Sequence, residues 1–135
     1  MFCSESKIKV RYGETDQMGI VYHGNYAQYY EIARTDCFEA ASGISYASME
    51  ADGVMLPIVE LESKFIKPAF YNEILTVKAI VKQLPTVRLK VEYEIYNEKN
   101  ELINTGKTTL VFVDTVNRKP CHPPEAFMAN IRKYF

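Results

Sequence analysis

"VRYGETDQMGIVYHGNYAQYYEIARTDCF", running from Val10 to Phe38, passes from a strand pattern through a polar turn into a helical one. Asp16 sits in the polar turn, His23 follows a Gly-Ile-Val-Tyr segment, and Gly24 and Asn25 lead into the helix. The first turn of a helix carries backbone N–H groups with no intrahelical partner, and the macrodipole adds roughly half a positive charge there. A carbonyl oxygen aimed at that end is polarised, and one preplaced oxyanion donor contributes about 2.7 to 4 kcal/mol to acyl transfer. Asp16 lies beside that end and offers a nucleophile or a base for water.

Upstream, Lys7 to Tyr12 reads as a first strand, with Ile8, Val10 and Tyr12 alternating against Lys7, Lys9 and Arg11. Downstream, Gly24 to Ala41 is helical, with Tyr26, Tyr30, Ala33, Cys37, Ala40 and Ala41 on one stripe. Asn25 and Gln28 form a capping pair at its start in this reading, and Gly43 stops it. Small residues in the second half of the stripe let the helix lie close in the concave face of a curled sheet, an ordinary packing role.

A polar connection from Ser42 to Gly53 holds one short helical turn at Tyr46 to Ala51. Strand-like segments follow at Met55 to Phe65, Ile74 to Leu84, Val87 to Tyr96 and Leu102 to Asp114, punctuated by Pro68, Leu84-Pro85 and Asn97 to Asn100. In the third of these, Val87, Leu89, Val91, Tyr93 and Ile95 point one way and Arg88, Lys90, Glu92, Glu94 and Tyr96 the other, the mark of an antiparallel sheet with one covered face. The tail from Pro123 carries Phe127, Ile131 and Tyr134 at helical spacing. The expected plan is an α+β domain over residues 1–135: one long central helix wrapped by a curved antiparallel sheet of about five strands, plus a short C-terminal helix.

A chain of 135 residues can bury a core without metals or disulfides. Sixteen basic against 17 acidic residues leave no global basic surface of the kind a nucleic-acid partner needs. Cys3, Cys37 and Cys121 show neither paired nor ligand spacing, and an odd count argues for a reducing, cytoplasmic setting. No secretory signal and no bilayer-length apolar run is visible, so no membrane insertion is expected.

Blander readings exist for each candidate. An Asp after a Thr is commonly a turn former bonding its own backbone, and a lone His is commonly a structural surface or interface residue. Glu31 and Arg34 stand at the spacing of a helical ion pair. With only His23 and His122 and no clustered ligands, no metal is expected. The serine-hydrolase elbow GxSxG is absent, and Cys37 on the apolar stripe is a poor nucleophile.

The runs "YGETDQMGIVYHGNY", "YYEIAR" and "KPAFYNEILTV" resemble the hot-dog acyl-CoA thioesterases of the 4-hydroxybenzoyl-CoA thioesterase type, nearest the small bacterial branch associated with the Tol-Pal system. The resemblance covers nearly the whole chain. It implies hydrolysis of an acyl-CoA thioester, with coenzyme A as part of the substrate and no separate cofactor. It also implies a homodimer joined edge to edge with active sites at the interface, and association into a homotetramer. Asp16 takes the place of the family's acid, as nucleophile or general base, and His23 that of the residue whose backbone N–H polarises the carbonyl. Tyr22, Gly24, Asn25 and Tyr26 then shape the pocket, with Tyr30, Phe65 and Phe70 as candidate walls. Glu31 is a second acid to weigh, because some hot-dog enzymes carry theirs on the helix. Arg88, Lys90, Arg118 and Lys119 are candidates for the coenzyme A phosphates by exposure pattern. The competing functions are a hydroxyacyl-thioester dehydratase and a non-catalytic acyl or protein-binding module.

Overall fold

Alternation along five segments pairs them into one antiparallel sheet, described by a computed structural model covering residues 1–135. Strand β1 (Phe2–Lys9) leads, through 3-10 turns at Tyr12–Glu14 and His23–Asn25, into α1 (Tyr26–Ser42) and α2 (Tyr46–Ala51). The chain continues through β2 (Val54–Met55), β3 (Ile58–Phe65), β4 (Ile74–Val81), β5 (Arg88–Tyr96), β6 (Leu102–Val111), β7 (Val113–Asp114) and α3 (Glu125–Ile131). The sheet order is β1-β4-β5-β6-β3, and β2 with β7 forms a separate two-residue ribbon. The long helix, the five-stranded sheet and the C-terminal helix together form the expected hot-dog architecture.

Several boundaries differ from the sequence reading. The first strand begins at Phe2 and ends at Lys9, because its register against β4 runs from Phe2 opposite Val81 to Lys9 opposite Ile74. Small Cys and Ser side chains had hidden its alternation, in which Phe2, Ser6 and Ile8 are buried. Arg11 and Tyr12 leave the sheet, and Tyr12 is exposed. The expected Met55–Phe65 strand is broken at Leu56-Pro57, so that β2 pairs with β7 while β3 pairs with β6. A proline lacks the N–H that a continuous ladder would need there. The strands expected to reach Leu84 and Asp114 end at Val81 and Val111, the latter resuming as β7.

Helix α1 buries Tyr26, Tyr29, Tyr30, Ala33, Arg34, Cys37, Phe38 and Ser42 against the sheet, packing on β1 and β4. Ala40, placed on the buried stripe by periodicity, is exposed; Phe38 takes up the contact by stacking on Phe127 of α3, with ring centroids 4.6 Å apart. Phe127 and Ile131 are fully buried, and Asn130 Nδ2 donates to Ser42 O at 2.7 Å, satisfying a carbonyl that the helix end leaves open. Gly43 ends α1 with φ of 70°, a left-handed conformation that costs glycine little. The capping pair at the other end does not form. Asn25 is already helical at φ −80°, ψ −14°, and its Nδ2 instead donates to Glu14 O at 2.8 Å.

The expected Glu31–Arg34 ion pair is also absent. Glu31 is exposed, whereas Arg34 turns into the core and donates from Nη1 to the Tyr93 hydroxyl at 3.1 Å. Apolar burial of the arginine stem on this helix face outweighs a surface pair worth a few tenths of a kcal/mol, ~0.3 to 0.5. No helix is long and apolar enough to cross a membrane.

Candidate active site

A cleft of about 330 Å³ opens where the Asp16 turn, the start of α1 and the far end of β3 meet. Asp16, His23, Tyr26 and Phe65 line it, four residues that the sequence reading named as catalytic or substrate-binding. Met18, Ile20, Val21, Ile66, Lys67 and Pro68 complete the wall. These six were not anticipated. Met18 to Val21 sit between Asp16 and His23 in the quoted stretch, so proximity in the chain was the available signal, whereas Ile66 to Pro68 come from across the sheet.

The Asp16 turn is built by its own backbone. Asp16 N–H donates to Ile20 O at 2.9 Å, Gly19 N–H to Asp16 O at 3.0 Å, and Thr15 bridges Val21. Asp16 Oδ1 accepts the Met18 N–H at 2.8 Å. The turn-forming reading of this aspartate is therefore correct for one oxygen, while Oδ2 accepts no hydrogen bond from the protein. Next, the 3-10 turn begins its ladder at the Asn25 N–H, which donates to Tyr22 O at 2.9 Å, so the His23 and Gly24 amides stand ahead of it. They form the positive end of the His23–Ser42 helical run.

Aromatic rings enclose the cleft. The Tyr26 and Phe65 centroids lie 5.2 Å apart nearly edge-on, and His23 faces Phe65 at 6.5 Å. Tyr22, expected in the pocket, packs on the His23 ring at 4.3 Å but is not part of the cleft lining. Burial pushes the Tyr26 phenol up to about 12, with Tyr30 and Glu73 adding to the shift, so it remains a neutral hydroxyl at physiological pH. Lys67 at the rim pairs with Glu101, and that bond holds the Glu101 carboxyl below the usual carboxylate range.

Glu14 lies beneath the turn and was not singled out from sequence. It is 9% exposed; Oε1 accepts the Arg11 N–H at 2.9 Å and the Tyr29 hydroxyl at 2.9 Å, and Oε2 meets the Arg11 guanidinium at 3.1 Å. Burial pushes its carboxyl up, but these donors outweigh it and hold the group below its ordinary value. Burial also raises the Tyr29 phenol, and the Glu14 bond adds to that.

Other expected site residues fall elsewhere. Tyr30 is wholly buried under the sheet rather than lining the cleft. Glu31 is exposed and outside the lining, and Phe70 bridges Ile20 without entering it. Gly24 and Asn25 belong to the turn that starts the helix. Arg88 and Lys90 project from the opposite face of β5, beside Glu60, Glu62 and Lys107. Arg118 and Lys119 occupy the turn after β7. No group of His, Cys, Asp or Glu is arranged to hold a metal.

The five-stranded antiparallel sheet around the long buried helix α1 places the chain in the hot-dog fold class. The model of the thioesterase-like superfamily matches residues 10–131, and the chain belongs to that family. It is an acyl-CoA thioesterase, a thioester hydrolase. It is 36% identical over 127 residues to the putative acyl-CoA thioesterase YneP of Bacillus subtilis, covering 94% of this chain and 91% of that one. Among solved structures it is similar to a DHNA-CoA thioesterase of Staphylococcus aureus (42% identity, TM-score 0.85, 90% of this chain and 81% of that one). A protein of Thermus thermophilus superposes with TM-score 0.88 at 36% identity, over 99% and 98% of the two chains.

Proposed function

We propose that Asp16 is the catalytic carboxylate and that the His23 and Gly24 amides at the start of the α1 run receive the thioester oxygen. The observation that carries this is the shared cleft: Asp16 and His23 line one cavity, with Asp16 Oδ2 left without a protein donor. In the base route Oδ2 takes a proton from water, hydroxide adds to the thioester carbon, and collapse breaks the C–S bond, the proton passing to the coenzyme A thiolate. In the covalent route Oδ2 itself adds, coenzyme A leaves, and water opens the acyl-Asp16 anhydride. Either way the oxygen's growing charge falls on donors already in place.

The acyl group in this reading is aromatic, of the hydroxynaphthoyl kind. The rings of His23, Tyr26 and Phe65 offer faces and edges to a flat acyl group, and the S. aureus relative at 42% identity is named a DHNA-CoA thioesterase. A thiol-trapping assay over short, long and aromatic acyl-CoA esters is expected to give DHNA-CoA or benzoyl-type esters a kcat/KM at least tenfold above aliphatic ones. An aliphatic preference overturns the acyl assignment. Water loss from a 3-hydroxyacyl-CoA without thiol release, or binding without release, points to the dehydratase or the binding module.

The working unit in this reading is a homodimer, or a tetramer of two such pairs, joined through the β3 edge. That strand ends the sheet, and Ile58, Val59, Leu61, Phe65 and Ile66 are all 44–55% exposed along it, an apolar edge that a lone protomer leaves open to aggregation. Phe65 also lines the cleft, so a partner there would help wall the substrate in. Leu61→Glu is expected to convert the dimer to monomer by light scattering at micromolar concentration; an unchanged mass rejects the β3 interface. Residues 1–135 serve as one thioesterase domain, and its three free thiols suit a reducing cytoplasm.

A further inference from the structure

We infer that Glu14 is a positioning residue for this reaction, one that registers the Asp16 turn against the start of the helix; the inference rests on the assignment of Asp16 above. Glu14 bonds to both halves of the site at once. Its carboxylate takes the Arg11 N–H on the strand side and the Tyr29 hydroxyl from the first turn of α1, each at 2.9 Å. Its carbonyl accepts the Tyr22 N–H at 2.9 Å and Asn25 Nδ2 at 2.8 Å, the two residues that bracket His23 and Gly24.

Asp16 is two residues further along, in a turn closed by Asp16 N–H to Ile20 O and Met18 N–H to Asp16 Oδ1 and tied on its far side to the Ala69–Phe70 segment, where Val21 N–H donates to Ala69 O at 2.9 Å and Ile20 bridges Phe70. None of those bonds reaches α1, and it is Glu14 that ties this region to the start of the helix. An acid and an oxyanion donor on separate segments must agree to about 0.5 Å, and a displacement of about 1 Å costs on the order of 100-fold in rate. A surface carboxylate would not serve as such a joint. Glu14 is 9% exposed and has donors on both oxygens, so its geometry is over-determined.

Glu14→Gln keeps the shape and the acceptor Oε1 but removes the charge and puts a donor where the Arg11 guanidinium also donates. On the best acyl-CoA of the native enzyme it is expected to lower kcat by about 10- to 100-fold with KM within threefold. Hydrogen exchange supplies the readout that a general loss of stability would not give. The Met18, Tyr22 and Asn25 amides exchange faster, while amides of β4 and β5 keep their protection. Tyr29→Phe, which deletes a single hydroxyl, moves kcat and the same three amides in the same direction by less, and decides the matter if Glu14→Gln does not fold. Native kcat in both folded variants, or a loss of protection spread across the whole sheet, overturns the role of Glu14. Full activity in Asp16→Asn fails the assignment of Asp16 instead, a result separable from either.

Discussion

Asp16→Asn is expected to lower kcat by about a thousandfold, with the melting temperature within a few degrees of native. The substitution keeps the acceptor that holds the Met18 N–H, the 2.8 Å bond that shapes the turn, so the local fold survives. What it removes is the basic, nucleophilic oxygen. The amide can neither take a proton from water nor attack a thioester carbon, while in the proposed mechanism the His23 and Gly24 amides are untouched and substrate binding is expected to persist. KM should therefore change much less than kcat, the pattern of an interaction made in the transition state alone. Asp16→Ala adds loss of the turn bond and should be somewhat less stable at similar residual activity. Single turnover of the native enzyme in heavy-oxygen water then separates the routes, since label in the Asp16 carboxyl requires an acyl-Asp16 anhydride. Full activity in Asp16→Asn would remove this residue from the mechanism.

Gly106→Ala should be the most damaging single methyl in the sheet, destabilising the protein by about 3 kcal/mol through overpacking. The Cβ it adds would lie 2.4 Å from the Tyr30 ring carbon and hydroxyl oxygen. Tyr30 has nowhere to go. Its hydroxyl meets Ser63 Oγ at 2.7 Å and also bonds Asn104 Oδ1, and its ring stacks on Tyr93 at 4.4 Å and 14°. The same hydroxyl ties α1 to β3 through Ser63, two residues before the cleft wall at Phe65. Relief of the clash would therefore shift the edge strand and open the site as well. Thermal denaturation followed by circular dichroism should show a midpoint lower by about 10 °C; a midpoint unchanged within error would mean that helix and sheet separate here at little cost.

The same two residues mark where reading the sequence stops. Periodicity placed Tyr30 correctly on the buried face of α1, yet its assignment as a pocket wall did not hold, because a buried tyrosine hydroxyl and a substrate-facing one have the same local pattern. What separates them is the distant partner set, Ser63, Asn104 and Gly106. Arg34 follows the same logic, since its spacing from Glu31 offered a surface pair while the Tyr93 hydroxyl, on β5, drew it inward. Arg88 was read from exposure alone, which names a face of the strand and not the side of the molecule on which the cleft opens.

Local chemistry along the chain, then, was enough for the order of the long helix, the five main strands and the C-terminal helix, for the Tyr46–Ala51 turn, the inward and outward faces of β5 and the stop at Gly43, because each depends on side-chain period or on a single backbone conformation, while the short β2-β7 ribbon went unread. It was also enough to bring Asp16 and His23 into one candidate site, since the turn joining them is short and closes on its own hydrogen bonds. Tertiary structure alone decided the rest of the wall: Ile66, Lys67 and Pro68 arrive just beyond the end of β3, next to the Phe65 already named, and Glu14 is buried where the Tyr29 hydroxyl meets its carboxylate. Those contacts depend on strand order and helix docking, long-range choices made by the packing of the whole core, which no short window of sequence encodes.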